Sequence, residues 1–322
     1  MSDFKTNAPY HILIVGAGRI GSMFDKPGAS RILTHAHAFT THPRFVLKGI
    51  VDPDFERSQE AATRWNCRPF RMIEEAFAEM IDIAVVASPD ETHYCLLKEL
   101  AQRPLRLVIA EKPLTQTLEQ ATEIVELYKH KNIPVAVNYT RRFAKGVVSL
   151  QKDIRERKFG KLLRGVGYYG KGILHNGSHM IDLLDFFFGN VQTKEVFETI
   201  NDFYENDPTV SCRLILGNDN AGFTLFGMDC RNYTIFEMEL FFEKARIRMV
   251  ESGDRFEIYH VIDSPVFQGY RVLDHCNTFD SGNAESFYQL AETVANCLDY
   301  GNPLPSTAET ALVSQSVCTQ LL

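Results

Sequence analysis

Gly16, Gly18 and Gly21 stand in the run Gly-Ala-Gly-Arg-Ile-Gly, directly after the apolar stretch His11–Val15. Where such a run ends the first strand of a βαβ unit, this spacing makes a pyrophosphate-binding turn. The first glycine permits the tight turn, the second lets the backbone approach the phosphates, and the third lets helix and strand pack closely. Arg19 and Ile20 sit between them and open the next helix, whose first N–H groups would face the pyrophosphate. Asp52 ends the second apolar run, Phe45–Val51. A carboxylate there accepts hydrogen bonds from ribose hydroxyls and repels a 2′-phosphate, which favours NAD and leaves NADP as the alternative. The competing readings are a glycine turn with no ligand and an aspartate that caps the helix after it, although Asp54 is better placed for the cap. Gly21 to Asp52 is 31 residues, against roughly 20 in the usual fingerprint. The excess falls in Phe24–Leu33, which contains Lys26-Pro27-Gly28-Ala29-Ser30. Proline and glycine together should interrupt the first helix and leave a short loop, beside the pyrophosphate or over the active site.

These residues need a parallel sheet to hold them. Short apolar runs at His11–Val15, Phe45–Val51, Ile81–Ala87, Leu105–Ala110 and Ile133–Val137 alternate with helical patterns at Phe55–Trp65, Met72–Met80, Glu91–Gln102 and Leu118–His130. Strands apolar on both faces, separated by helices, predict a doubly wound α/β Rossmann domain over residues 1–140. The rhythm then changes. Helices near Val147–Arg157 and Ser178–Phe188 flank a strand near Leu162–Tyr169. Alternating segments follow from about Glu195, at Cys212–Leu216, Gly222–Met228, Thr234–Phe242 and Ala245–Val250. Gly217-Asn218-Asp219-Asn220 is a hairpin turn by composition. Helical patterns return near Ala284–Leu298 and Thr307–Leu321. Residues 141–322 therefore read as an α+β domain with a large, mainly antiparallel open sheet, and the boundary falls near Asn138–Ala144.

Composition limits the function classes. The chain has 322 residues, 45% of them hydrophobic, and a formal net charge of -7. No basic face suggests nucleic acid. The segment MSDFKTNAPY is polar and the apolar run after it is too short for a signal core or a membrane span. Seven cysteines without paired spacing read as reduced thiols in a cytoplasmic protein.

With these features in place, the sequence resembles the glucose–fructose oxidoreductase / inositol dehydrogenase (Gfo/Idh/MocA) family over nearly its whole length. Five motifs in order carry the resemblance: the glycine fingerprint; Val85-Val86-Ala87-Ser88-Pro89-Asp90-Glu91-Thr92-His93; Glu111-Lys112-Pro113; Asn138-Tyr139-Thr140-Arg141-Arg142-Phe143; and Gly177-Ser178-His179-Met180-Ile181-Asp182. The resemblance implies that Ser88, Pro89, His93 and Glu111 contact the cofactor. It also implies that Lys112 sits near the nicotinamide and the reacting oxygen, and that His179 is the acid–base residue. The implied activity is hydride transfer between a nicotinamide cofactor and a hydroxyl or keto carbon of a sugar, sugar derivative or cyclitol. A nucleotide-binding sensor without chemistry on the same scaffold is the alternative, distinguished by cofactor binding without turnover. Elementary chemistry agrees with the pairing. An imidazole titrates in the range needed to take a hydroxyl proton, and an ammonium steadies developing alkoxide charge.

One position departs from the family. Members often carry an aspartate four residues before the histidine, where this chain has His175. His175 can hydrogen-bond substrate or orient His179, but it is no fixed anion. Asp182 can orient the imidazole or be an exposed helix carboxylate. Asn138, Arg141 and Arg142 follow the last strand of the first domain, and an arginine there suits a carboxylate or phosphate or, equally, interdomain packing. His175 and His179 have a zinc-like spacing, but Asn-Gly-Ser between them lacks the glutamate of a metalloprotease motif and no third ligand is near, so no metal is expected. A long open sheet leaves one face to cover. Phe223–Met228 and Phe236–Phe242 are expected to line it, predicting a homodimer or homotetramer.

Overall fold

A computed structural model describes residues 8–322, with the side chains of His275 and Cys276 outside the description. It divides into two compact units, one of Met1–Phe143 with Ala284–Leu312 and one of Ala144–Asn283 with Val313–Leu322.

The first unit holds six parallel strands: β1 (Tyr10–Val15), β2 (Phe45–Val51), β3 (Arg68–Phe70), β4 (Ile83–Val86), β5 (Leu107–Ala110) and β6 (Val135–Val137). They lie in the order β3-β2-β1-β4-β5-β6, so the sheet is doubly wound about β1 and β4. Successive side chains leave a strand on opposite faces, and the core divides accordingly. Leu13, Ala84, Val86, Val108 and Ala110 belong to one cluster. Ile12, Ile14, Ile83, Val85, Leu107 and Ile109 belong to the other. The helices of this unit are α1 (His35–Thr41), α2 (Phe55–Trp65), α3 (Ile73–Ala76), α4 (Asp90–Leu100) and α5 (Leu118–Lys131). Helix α2 starts where Asp54 accepts from Arg57 N and stops at Asn66 in the left-handed region. That cap matches the role expected of Asp54.

Three sequence expectations change here. β3 was not foreseen, because three residues including Pro69 give little signal, although proline is tolerated at a sheet edge. The pattern at Met72–Met80 yields only the short α3. The fingerprint is followed by a five-residue π-turn, Arg19–Met23, instead of an α-helix. Its carbonyls are diverted: Trp65 Nε1 donates to Ser22 O at 2.7 Å, and Arg64 Nη1 donates to the carbonyls of Met23 and Asp25. The chain then forms the expected Pro27-Gly28 loop before α1.

The second unit contains α6 (Lys145–Arg155), β7 (Leu162–Tyr169), α7 (Ser178–Phe188), β8 (Val191–Tyr204), β9 (Asp207–Leu216), β10 (Ala221–Gly227), β11 (Phe236–Phe242), β12 (Ala245–Val250), β13 (Arg255–Asp263) and β14 (Arg271–Asp280). The eight strands lie in the order β14-β13-β12-β11-β7-β10-β9-β8. Only β7 and β10 pair in parallel; the other neighbours are antiparallel. β9 and β10 join through Gly217–Asn220 as a hairpin. β13 and β14 were not anticipated.

Two helices close the chain, α8 (Ser286–Tyr300) and α9 (Ala308–Gln320). All residues after 140 were assigned to the second domain, and this needs correction. Phe287, Leu290, Ala291, Val294 and Ala295 of α8 join the β1–β4 face of the first unit, which the seven-residue α1 is too short to cover alone. Ala308 and Ala311 of α9 also belong to the first unit's core, while Val317 and Cys318 belong to the second's.

The face of the large sheet is a second correction. Phe223, Leu225, Phe236, Met238, Leu240 and Phe242 are all buried against α6 and α7 rather than on the open face. Alternation leaves Thr224, Phe226, Glu237, Glu239 and Phe241 outward. Arg246 and Arg248 bind Glu239, and Arg248 and Arg255 bind Glu257, so much of that face is an ion-pair ladder.

Candidate active site

In the first unit the strand ends collect the expected residues. Gly16 has φ +109, and a Cβ on it would lie 2.5 Å from Ala87 O and 2.7 Å from Ser88 N. A Cβ on Gly21 would collide with the carbonyl oxygen of Gly16, whereas one on Gly18 would meet nothing within 4 Å. Two glycines thus allow β1 and β4 to touch the turn, and the third keeps a space open at the carboxyl ends of the strands. That is the form a pyrophosphate cradle requires, so these residues fit a dinucleotide. Arg19 is exposed and Ile20 packs against the core.

Asp52 is buried at the end of β2. Its Oδ2 accepts from Ala17 N and its Oδ1 from Asp54 N, both at 3.0 Å. It therefore braces the glycine turn from inside. Exposed Arg57 lies 3.9 Å from Asp52 and 3.4 Å from Asp54.

Ser88 Oγ lies 2.7 Å from Thr92 Oγ1, and Pro89 precedes α4. His93 does not present its ring to a ligand as the motif implied. It is fully buried, with Nδ1 at 2.8 Å from Pro113 O and Nε2 at 3.0 Å from Ser88 O. It fastens the loop after β4 to the loop after β5, next to Lys112.

Glu111 directly follows β5, and its Oε1 accepts from His35 Nε2 at 2.8 Å and Asn138 Nδ2 at 2.6 Å. Burial pushes the Glu111 carboxyl up, but the His35 bond and charge, the Asn138 bond and the neighbouring Lys112 charge outweigh it and hold the group below the ordinary glutamate range. His35 is wholly buried and rests edge-on against Phe287. Among the described residues, His35 Nδ1 and Asn138 Oδ1 meet no hydrogen-bond partner. Sequence reasoning missed this cluster. The one available signal was the position of His35 after the fingerprint insertion. Arg142, a candidate anion ligand, is buried and donates to Pro305 O at 3.2 Å, so it secures the connection before α9. Arg141 is half-buried.

Residues 10–139 match the family described as "Oxidoreductase family, NAD-binding Rossmann fold" (GFO_IDH_MocA). The UDP-N-acetylglucosamine 3-dehydrogenase of Acidithiobacillus ferrooxidans is 24% identical over 129 residues, 40% of this chain and 36% of that one. The scyllo-inositol 2-dehydrogenase (NAD(+)) of Bacillus subtilis is 24% identical over 181 residues, 52% of this chain and 49% of that one. The chain thus spans about half or less of these curated relatives in the matched regions. A crystal form of the Acidithiobacillus enzyme superimposes with TM-score 0.78 at 17% identity, covering 97% of this chain and 96% of that one, so the two share a fold.

In the second unit a six-residue π-turn, Gly172–Gly177, runs into α7. His175 and His179 are both half-buried. Asp182 is buried and accepts from Ser314 Oγ at 3.3 Å, which removes the exposed-carboxylate reading. Among the described residues no group of three or more His, Cys, Asp or Glu side chains is arranged to hold a metal ion. No described helix is long and apolar enough to cross a membrane. Among the described residues, Cys67, Cys95, Cys212, Cys230, Cys297 and Cys318 form no disulfide, and burial pushes the Cys67 and Cys212 thiols up to about 12.

Proposed function

We propose that this protein is a nicotinamide-dependent dehydrogenase or reductase acting on a CH–OH group of a sugar, sugar derivative or cyclitol. The observation that carries the reading is the glycine turn, closed at Gly16 and Gly21 and open at Gly18, in a sheet where Glu111 and Lys112 directly follow β5. The nicotinamide supplies the hydride acceptor or donor when bound. Lys112, with the Glu111 anion beside it, offers a cation to the oxygen that gains negative charge. His179 exchanges the hydroxyl proton. Asp52, directly after β2, supports NAD over NADP, since a carboxylate at this strand end accepts from a ribose hydroxyl and repels a 2′-phosphate. The names of the two curated relatives both denote oxidation of a ring hydroxyl, which supports the substrate class. The cysteine pattern supports a reducing, cytoplasmic location.

The test is NADH formation by purified protein from NAD and a panel of inositols, free sugars and UDP-sugars. Turnover that Lys112→Ala abolishes while the melting temperature holds supports the enzyme. NAD binding with no turnover across the panel replaces it with the sensor reading. A homodimer or homotetramer through the open sheet face belongs to the same proposal, supported by the exposed Phe197, Phe226 and Phe241. A monomeric mass by light scattering removes that part.

A further inference from the structure

Two buried carboxylates from the β8–β9 hairpin moor the segment that leads into α7. Asp202 accepts from Lys171 N at 2.8 Å and from Thr209 Oγ1 at 2.7 Å, and Thr209 Oγ1 in turn accepts from Gly172 N. Asp207 accepts from the backbone N–H groups of Leu174 and His175, both at 2.8 Å. Gly172, at φ +79, lets this approach happen, because a Cβ there would collide with the Asp207 carboxylate. The same carboxylate lies 3.2 Å from His175 Nδ1. The face of Tyr204 lies parallel to the imidazole, with centroids 4.0 Å apart and planes 20° apart. The His175 side chain nevertheless keeps 41% of its surface exposed, against 6% for Asp207.

This is a preset imidazole. A carboxylate can only accept, so Nδ1 carries the proton that faces it, and the neutral ring then has Nε2 as its acceptor. Tyr204 fixes the ring plane. The backbone bonds to Asp207 fix the distance.

We propose that His175 is a substrate-contacting residue that accepts a hydrogen bond from a neutral hydroxyl, and that Asp207 is the positioning residue that sets its tautomer. This rests on the oxidoreductase reading of the same chain and narrows it to substrates with an uncharged hydroxyl at this point, such as a cyclitol or an unmodified sugar ring. The anion at this point is Asp207, 32 residues away in sequence, and it reaches the substrate only through the imidazole.

Two measurements test it on the full chain. The first uses steady-state kinetics with NAD and the inositol or sugar that wild type oxidises. His175→Gln keeps an acceptor and loses the stack, whereas His175→Phe keeps the stack and loses both nitrogens. The proposal expects KM to rise about tenfold for Gln and about a hundredfold for Phe, with NAD affinity and melting temperature near wild type. Phe performing as well as Gln would show a packing role and overturn the substrate contact. The second is the nitrogen spectrum of histidine-labelled protein, with the His175 signal assigned by its loss in His175→Phe. Wild type should show the Nδ1-protonated tautomer and Asp207→Asn should lose that preference. An unchanged tautomer in Asp207→Asn overturns the positioning role. If wild type oxidises nothing in the panel, the parent reading fails and the substrate contact with it, while the spectrum still decides what Asp207 does.

Discussion

Replacing Gly18 and Gly21 separately by alanine should divide ligand binding from folding. Gly18 has φ -75 and ψ -171, an extended conformation that alanine adopts freely, and its added Cβ meets nothing within 4 Å. The fold should not register it. A methyl in that space would stand where the phosphates must approach the backbone. Losing one charge-assisted hydrogen bond costs about 1.5–3 kcal/mol, so NADH affinity should fall about ten- to hundredfold. At Gly21 the same methyl collides with the carbonyl oxygen of Gly16, and the turn or the start of the π-turn must shift. Overpacking of this kind costs about 2 kcal/mol, which in a unit of this size lowers the melting temperature by about 4–8 °C. Isothermal calorimetry with NADH and a thermal melt on both variants give four numbers. Gly18→Ala binding NADH like wild type, or melting as low as Gly21→Ala, refutes the assignment of the space above Gly18 to a pyrophosphate.

Other consequences follow from the same geometry. On the proposed role of its charge at the developing oxyanion, Lys112→Ala should lower kcat by about a hundred- to thousandfold with NADH affinity largely kept; an unchanged kcat in stopped-flow traces removes it from the chemistry. His179→Asn should cost about a hundred- to ten-thousandfold in kcat/KM, and a loss confined to NADH affinity would contradict the proton role. His93→Phe removes the ring whose nitrogens lie against the carbonyls of Ser88 and Pro113; a neutral imidazole donates to one of them, and at about 1–3 kcal/mol for that unmet group the melting temperature should drop by a few degrees. A melt equal to wild type denies that the ring is a brace. Glu111 has a depressed folded-state pKa, so the stability it contributes is complete above the unfolded glutamate value and is lost as pH falls through the lower, folded value. Glu111→Gln should therefore flatten the stability profile below about pH 4.5 and leave the slope near neutrality alone, a difference that urea melts across pH will show.

Much of this protein follows from local pattern. Phe55–Trp65, Leu162–Tyr169 and Ser178–Phe188 form the elements their sequences predict, residue for residue. Each is bounded by residues that stop an element locally, among them Asp54 and Asn66 around the first and Gly189 after the last. The glycine fingerprint and Asp52 were likewise legible, because turn geometry and a strand end need only neighbours. Edges and partners were not. β3 and β14 are edge strands whose existence depends on β2 and β13 offering free backbone groups. The outward face of the large sheet was misjudged because alternation reveals two faces without saying which one the helices cover. Helix α8 shows an apolar stripe in either unit; only packing assigns it to the sheet that α1 leaves bare.

The candidate site divides the same way. Sequence alone offered residue types suited to binding a dinucleotide and moving a proton, since such suitability resides in single side chains at fixed local spacings. The tertiary structure decided what surrounds them: His35 joins Glu111 across 76 residues, His93 clasps Pro113 across 20, and Asp207 turns the imidazole of His175 across 32. A hydrogen bond has no memory of chain separation, and chain separation is what a sequence records.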